Sequence, residues 1–238
     1  MKSVAVAGAA GFVGSHIAQA LTSSGRYRLI PVARGDSADV RFAGADLVVH
    51  AANPAGRFQA QQHPLRDFQE TVEKTAQLLA AARHKRFVLI SSLSCRTQLD
   101  TGYGRHRRAC ELLALSAAAL VVRLGPMFGG GRTRDSLHDI LAGRPVFVAA
   151  DTRYAYADVA WVGRQIVDML ETSAGGGIRE IGARNAVSLA DLRDRFASSS
   201  TFSGVDDTQL PEGIVEGPDA NDVFIFAERE KARISEWR

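Results

Sequence analysis

A tyrosine and an arginine four positions apart, Tyr103 and Arg107, are the most chemically informative pair in the sequence. Residues with this spacing share one face of a helix, so the guanidinium is predicted to lie one turn from the phenol. A tyrosine, whose pKa is about 10, exchanges protons poorly near neutrality unless a nearby cation stabilises its phenolate. The pair therefore predicts a side chain that can give a proton to, or take one from, a substrate oxygen.

A serine pair, Ser91-Ser92, directly follows the apolar run Phe87–Ile90, which is typical of a buried strand. A serine hydroxyl opposite the tyrosine can hold the same substrate oxygen. We therefore predict Ser92, Tyr103 and Arg107 as the catalytic residues. The alternatives are a plain strand-end turn for the serines and a packing role for the tyrosine.

Three glycines near the start of the chain, Gly8, Gly11 and Gly14, separate a strand-like run from a helical one. The positive end of a helix dipole and the first free N–H groups of a helix form a phosphate site. In such a site Gly8 permits the tight turn, Gly11 lets a pyrophosphate approach the backbone, and Gly14 allows close packing of helix on strand. The pattern predicts a dinucleotide site, the alternative being an ordinary turn.

An arginine, Arg34, ends the second strand-like run, 20 residues beyond Gly14. An NAD-binding fold usually places an acid there for the ribose 2′-hydroxyl. An arginine pairs instead with a 2′-phosphate, because its charge is permanent and its fork is bidentate. Arg34 thus favours NADP, and NAD is the other cofactor considered. The alternative is that Arg34 is only a solvated arginine at the end of a strand.

The elements that must position these residues alternate between apolar strand-like runs and helical runs. This alternation predicts a Rossmann-like doubly wound parallel sheet, an α/β fold with a small C-terminal α/β substrate-binding part. Only eleven residues separate Arg34 from the next strand, which begins at Asp46. That link is too short for a full crossover, so one helix–strand unit is predicted to be missing or reduced to a loop.

Beyond residue 130 the alternation loosens. We predict a dinucleotide-binding core over 1–130 and a small substrate-binding region over 131–238, of which 158–182 packs back on the core. The elements predicted in that region are a helix over Ser136–Ala142, a strand over Val146–Val148, a helix over Asp158–Glu171, a strand over Ile178–Ile181 and a capping box over Ser188–Asp191.

The composition, with 46% hydrophobic and 23% charged residues, is that of a soluble globular protein. The net charge of +3 is mild and the basic residues are scattered, so no nucleic-acid partner is expected. No apolar run reaches transmembrane length and the first strand leaves no room for a signal peptide, which predicts a cytoplasmic protein without a membrane partner. The two cysteines, Cys95 and Cys110, match no metal spacing, so no metal is expected.

Taken together, these motifs resemble the extended branch of the short-chain dehydrogenase/reductase superfamily, which contains nucleotide-sugar epimerases, dehydratases and ketoreductases. The short link after Arg34 and the gap from Ser92 to Tyr103 look most like small nucleotide-sugar 4-ketoreductases. Tyr103 to Arg107 stands where the family has Tyr-x-x-x-Lys. The resemblance implies that a nicotinamide cofactor contacts Gly8, Gly11, Phe12, Val13, Gly14, Arg34, His50, Ala51, Ala52, Ser91, Tyr103, Arg107, Pro126 and Met127.

Two residues depart from the family pattern: Arg107 replaces a lysine, and Thr71 stands where an asparagine is usual. Arginine supplies the positive field but cannot pass a proton onward. Three functions therefore stay open: an NADP(H)-dependent reductase of a sugar-like substrate, an epimerase that retains NAD(P), and a catalytically weak NADP-binding sensor or scaffold. The resemblance also implies a possible homodimer through the stretches 71–83 and 103–118.

Overall fold

A computed structural model describes residues 1–172 and 175–236 of the chain. Its described strands are β1 (Lys2–Ala7), β2 (Tyr27–Val32), β3 (Leu47–His50), β4 (Arg86–Ser92), β5 (Leu120–Leu124), β6 (Met127–Phe128), β7 (Arg153–Tyr154), β8 (Ala157–Asp158), β9 (Gly177–Ile181) and β10 (Val187–Ser188). Six of them form the central sheet, in the order β2-β1-β3-β4-β5-β9.

The helices that flank and follow these strands are α1 (Phe12–Ser24), α2 (Ala38–Ala43), α3 (Arg57–Gln62), α4 (Pro64–Phe68), α5 (Lys74–Ala81), α6 (Ser94–Thr97), α7 (Gly102–Ser116), α8 (Ser136–Leu141), α9 (Val159–Thr172), α10 (Leu189–Arg195) and α11 (Asp222–Glu236). A π-helical turn, Gln69–Glu73, joins α4 to α5. Within the described ranges, no helix has an apolar stretch long enough to span a membrane.

The central sheet confirms the predicted doubly wound architecture, because β1 pairs in parallel with both β2 and β3, and β4 pairs in parallel with β3 and β5. The chain therefore crosses over β1 between β2 and β3. The usual dinucleotide-binding order has a further strand outside β2. Here β2 is the edge strand, so a strand is missing as predicted, but the link is not a bare loop because it contains α2.

Burial on both faces explains the strand sequences. Every residue of β3 and β5 is buried, and β1 is buried from Ser3 onward. Parallel strands covered by helices on both sides need such continuous apolar runs. One side of the sheet builds a core that includes Val48, Leu89 and Val121 from the strands and Phe42 and Cys110 from the helices.

The chain divides into two compact units, the first covering Met1–Leu124 and Ala160–Arg179 and the second covering Gly125–Val159 and Glu180–Arg238. The predicted division at residue 130, and a substrate-binding role for the residues after it, stay predictions. In the second unit the capping box is confirmed, since Ser188 Oγ accepts from Asp191 N at 3.0 Å and the Asp191 carboxylate accepts from Ser188 N at 3.3 Å.

The strand predicted over Val146–Val148 is wrong. Only an isolated bridge links Val146 to Phe202, and Phe147 between the bonded positions is exposed. The apolar alternation there reflects side-chain packing, since Val146 is buried in the core of the second unit and the partly buried Val148 packs against that core. Two large side chains of that core, Leu137 and Leu189, come from α8 and from the start of α10.

Candidate active site

The glycine turn between β1 and α1 is fixed by close backbone contacts. Gly8 has a φ of +84°, and a Cβ built on it would lie 2.7 Å from both Ala51 O and Ala52 Cα. A Cβ on Gly14 would lie 2.0 Å from Gly8 O. The positive φ at Gly8 supports the predicted tight turn, whereas the close neighbour of Gly14 is the turn itself rather than the strand. The turn is thus pressed between α1 and the end of β3.

The start of α1 has the chemistry of an anion site. Gly11 is the N-cap residue and has no side chain with which to bond the first turn. Phe12, Val13 and Gly14 form that turn, and none of them is acidic. Backbone N–H groups and the positive end of the helix dipole therefore face the turn without a competing carboxylate. This arrangement fits the pyrophosphate of a nicotinamide dinucleotide, and the approach at Gly11 stays a prediction.

His50 ends β3 as a fully buried, neutral side chain. Burial, assisted by the positive charge of Arg107, lowers the pKa of His50 to about 3. Its Nδ1 accepts from Ala52 N at 3.3 Å and its Nε2 lies 3.0 Å from Thr75 Oγ1. The Thr75 hydroxyl donates to Thr71 O at 2.7 Å, so the His50 proton is assigned to Nε2. His50 therefore fixes the backbone beside the glycine turn.

Tyr103 and Arg107 occupy one face of α7, as their spacing predicts. The guanidinium carbon of Arg107 lies 4.8 Å from the centroid of the Tyr103 ring. Both residues are buried, at 7% and 4% exposure. Arg107 also donates through Nη2 to the carbonyl oxygen of Pro54, and its Nε has no partner within the described residues. The arginine is thus anchored to the segment after β3, an anchor that helical spacing does not predict.

The first turn of α7 is pressed against the segment that follows Ser92. A Cβ on Gly104 would lie 2.0 Å from Gln98 O and 2.7 Å from Ser94 O, so only glycine fits. Ser92 Oγ accepts from Ser94 N and donates to Ser94 Oγ, both at 3.3 Å. The helix that carries Tyr103 and the strand end that carries Ser92 are therefore packed together.

A buried ionic network links α7 with β4 and β5, and it was not predicted from the sequence. Glu111 is fully buried and accepts from Arg123 Nε at 2.9 Å and from Arg123 Nη2 at 2.8 Å. Its Oε1 also accepts from Ser91 Oγ and from Cys95 Sγ, both at 2.8 Å. The sequence signal for this network is that Glu111 and Arg123 each stand in an otherwise apolar run. Charged side chains in such runs are buried only when they are paired.

The donors in this network set the ionisation of its members. Burial by itself would raise the pKa of Glu111, but hydrogen bonds from Arg123, Cys95 and Ser91 lower it below the ordinary glutamate value. Burial and the Glu111 carboxylate raise the pKa of the Cys95 thiol to about 12. Glu111 is therefore a carboxylate and Cys95 a neutral donor. The Ser91 hydroxyl, predicted to contact the cofactor, is a donor to Glu111.

Arg34 lies two residues beyond the end of β2. That end lies next to the glycine turn, since Gly8 N donates to Val32 O at 3.2 Å. Its side chain is 83% exposed, and its Nη2 lies 3.9 Å from Glu70 Oε2. An exposed guanidinium at this place can reach a phosphate bound near the turn, whereas a buried one could not.

A model of the NAD dependent epimerase/dehydratase family matches residues 4–135, more than half of the chain. The chain belongs to this family. The resemblance read from the sequence is therefore confirmed at family level.

Individual relatives agree with that membership. A ceramide reductase of Caulobacter vibrioides is 28% identical over 219 residues, and the match covers 80% of this chain but only 65% of the length of that relative. Among solved structures, MoeE5 in complex with UDP-glucose and NAD has a TM-score of 0.80 at 19% identity, covering 98% of this chain and 99% of MoeE5. A UDP-glucuronic acid 4-epimerase from Bacillus cereus has a TM-score of 0.79 at 17% identity, covering 99% and 100%. These two structures share the fold.

Two cofactor residues predicted from the family resemblance, Pro126 and Met127, belong to the second compact unit. There Pro126 O accepts from Ala157 N at 3.2 Å, and Met127 pairs in register with Ala157. Their contact with a cofactor stays a prediction.

The family departure at Thr71 has a local consequence. Thr71 is fully buried, its carbonyl oxygen accepts the Thr75 hydroxyl, and its own Oγ1 has no partner among the described residues. A threonine is shorter than the family's asparagine, so its side chain reaches fewer neighbours.

Proposed function

We propose that this chain transfers hydride between NADP(H) and a carbonyl or alcohol of a sugar-like substrate, with nucleotide sugars as the first chemical class to test. The observation that supports it best is the Arg107 guanidinium, 4.8 Å from the Tyr103 ring centroid, on a helix start packed against the Ser92 strand end. A phenol, a cation and a hydroxyl are the groups that carbonyl reduction requires.

The proposed roles follow from the chemistry of each side chain. When bound, the nicotinamide supplies hydride to the carbonyl carbon or accepts it from the alcohol. Tyr103 gives its proton to the substrate oxygen during reduction, and the Ser92 hydroxyl donates a hydrogen bond to that oxygen. Arg107 stabilises negative charge on the phenol oxygen. Because a guanidinium is not deprotonated, the proton returns to Tyr103 from water rather than through Arg107.

The proposed cofactor site consists of the glycine turn, the segment His50–Ala52 and Arg34. The close approach of Gly8 to Ala51 and the start of α1 support binding of the pyrophosphate. Arg34 would pair with the 2′-phosphate, which supports NADP rather than NAD. Several fold neighbours were solved with NAD, so both cofactors belong in the experiments.

The deciding experiment measures NADPH and NADH oxidation with a panel of 4-keto sugar nucleotides. A ketone derived from ceramide is included because the Caulobacter relative is named for that lipid. Tyr103→Phe should lower the rate at least about a hundredfold. Tyr27→Phe, which changes another buried tyrosine of the same unit, should leave it unchanged. Equal rates for wild type and Tyr103→Phe would refute the role of Tyr103.

A second candidate is an epimerase that keeps its nicotinamide bound, supported by the shared fold with the Bacillus cereus 4-epimerase. A reductase releases oxidised cofactor after each turnover, whereas an epimerase regenerates it in place. Absorbance of the protein peak after gel filtration, following incubation with NADP⁺ or NAD⁺, separates the two: a stoichiometric retained cofactor favours the epimerase.

We also propose a homodimer through the helices of the first unit. The proposed interface is the predicted pair of stretches, 71–83 and 103–118, extended to α4: Leu112 on α7 is 56% exposed, and Leu65 and Phe68 on α4 are exposed as well. Large exposed apolar side chains on neighbouring helices favour an interface. Leu112→Glu should convert a dimer into a monomer in light scattering, and a monomeric wild type would refute the proposal.

We propose the cytoplasm as the location, because a reducing compartment suits the two buried free thiols.

A further inference from the structure

Three cations surround a single carboxylate beside the glycine turn. Glu70 Oε1 lies 3.0 Å from Arg66 Nε, and Glu70 Oε2 lies 3.9 Å from Arg34 Nη2. The hydrogen bond from Arg66 is the main reason that the pKa of Glu70 is lowered, and the positive charges of Arg34 and Lys74 lower it further. The cluster therefore has an excess of positive charge, with one anion inside it.

The two partners of Glu70 are held differently. Arg66 is one helical turn away and close enough for a hydrogen bond, so it keeps Glu70 in place. Arg34 comes from the segment after β2, is 83% exposed and lies at the limit of an ion pair. Glu70 itself is only 27% exposed, on the π-helical turn that precedes α5. Arg34 can therefore leave Glu70 for another anion, while Glu70 stays where it is.

We propose that Glu70 is a specificity-determining residue that limits the preference of this chain for NADP(H) over NAD(H). This inference rests on the proposed function, in which Arg34 binds the 2′-phosphate. Glu70 competes with that phosphate for Arg34 and repels its negative charge. NAD(H) has an uncharged 2′-hydroxyl at the same position, so Glu70 does not repel it.

The size of the effect follows from screened electrostatics. A phosphate monoester carries nearly two negative charges at neutral pH. Its repulsion by one carboxylate near the surface, within a Debye length, corresponds to about a three- to tenfold weaker complex. The same repulsion is largely screened at about 1 M salt, where the Debye length falls to about 3 Å.

Calorimetric titration of the full chain with NADP⁺ and with NAD⁺ tests the proposal. Glu70→Gln should tighten NADP⁺ binding about three- to tenfold, should leave NAD⁺ binding within about twofold, and should lose this difference in about 1 M NaCl. Glu73→Gln is the matched control, because this exposed carboxylate on the same turn bonds Gln77 instead. It should change neither affinity.

Arg34→Ala separates this inference from the function on which it rests. Weaker NADP⁺ binding in Arg34→Ala, with no tightening in Glu70→Gln, would overturn the role of Glu70 and leave the 2′-phosphate assignment intact. Unchanged NADP⁺ binding in Arg34→Ala, or no dinucleotide binding by the wild type, would overturn both. Weaker NADP⁺ binding in Glu70→Gln would mean that Glu70 orients Arg34, which also overturns the proposal.

Discussion

Glu111 on α7 and Arg123 on β5 form a buried bidentate ion pair, with N–O distances of 2.9 and 2.8 Å. The same carboxylate accepts a hydrogen bond from the Ser91 hydroxyl, one residue before Ser92, and lies on α7, whose first turn carries Tyr103. One side chain therefore connects the strand end that carries Ser92 with the helix that carries Tyr103 and Arg107, the three proposed catalytic residues. Such fully paired buried networks hold their elements in one arrangement.

Removing the charge of Glu111 should be strongly destabilising. Glu111→Gln leaves the Arg123 guanidinium buried without its counter-ion, which typically costs about 3–5 kcal/mol of unfolding free energy. Urea denaturation followed by circular dichroism measures the loss. Asp168→Asn, which breaks an exposed ion pair with Arg26, should cost at most about 1 kcal/mol. A loss of that small size in Glu111→Gln would contradict the importance of the buried pair.

The buried neutral state of His50 predicts a specific acid sensitivity. Its pKa is about 3 in the folded chain and about 6.5 when unfolded, so between these values only the unfolded state binds the proton. Stability should therefore fall as pH drops below about 6.5, by about 1.4 kcal/mol per pH unit until the folded pKa is reached.

The contribution of His50 is isolated by comparing slopes. Unfolding free energies measured between about pH 6 and pH 5 should fall more steeply for the wild type than for His50→Gln, whose amide does not titrate. The other histidines are common to both proteins and cancel in the difference. Equal slopes would show that His50 is accessible to protons in the folded state.

Local spacing predicted those parts of the site that depend on one helix or one turn. The positive φ of Gly8 and the shared face of Tyr103 and Arg107 follow from residue type and helical periodicity alone. The anchor of Arg107 on the Pro54 carbonyl depends on where the chain returns after β3, which no local pattern contains. Glu111 and Arg123 were predictable in principle, because two opposite charges stand in apolar runs.

The difference between local sequence patterns and long-range contacts also explains which parts of the fold were predictable. Continuous apolar runs identify β1, β4 and β5, because strands buried on both faces need them. The short helix α2 has one buried residue, Phe42, and gives little periodic signal in six residues. The apolar stretch 146–148 reads as a strand, but Phe147 is exposed and only a bridge forms, so long-range pairing rather than propensity decides its state.

The approach of Gly14 to the turn predicts a selective loss of dinucleotide binding. In Gly14→Ala the new Cβ would lie 2.0 Å from Gly8 O, so the turn must move and its N–H groups lose their alignment. Affinity for NADP⁺ should fall at least about tenfold, with a stability loss of about 1–3 kcal/mol. Calorimetry and thermal denaturation measure the two effects.

Gly44→Ala is the matched control for that substitution. Gly44 has a φ of −89°, and a Cβ there would meet no atom closer than 4.0 Å. Stability should change by less than about 1 kcal/mol, toward a more stable protein, and NADP⁺ affinity should stay the same. If Gly14→Ala binds NADP⁺ as tightly as Gly44→Ala does, the glycine turn is not the pyrophosphate site.

Arg107→Lys decides between a working enzyme and a binding protein that has lost catalysis. In the proposed function Arg107 already supplies the required cation, so a lysine should change the turnover rate by no more than about tenfold in either direction. A lysine also gives up the planar fork that reaches Pro54 O, so some of the buried contact is lost. Single-turnover oxidation of NADPH measures the rate, with Arg108→Lys as the control because Arg108 lies on the same helix and pairs with Glu111. The opposite outcome is a nearly inactive wild type whose rate rises sharply in Arg107→Lys alone. The natural chain would then be a binding protein that retains the cofactor site of a reductase, and Arg107 would prevent catalysis.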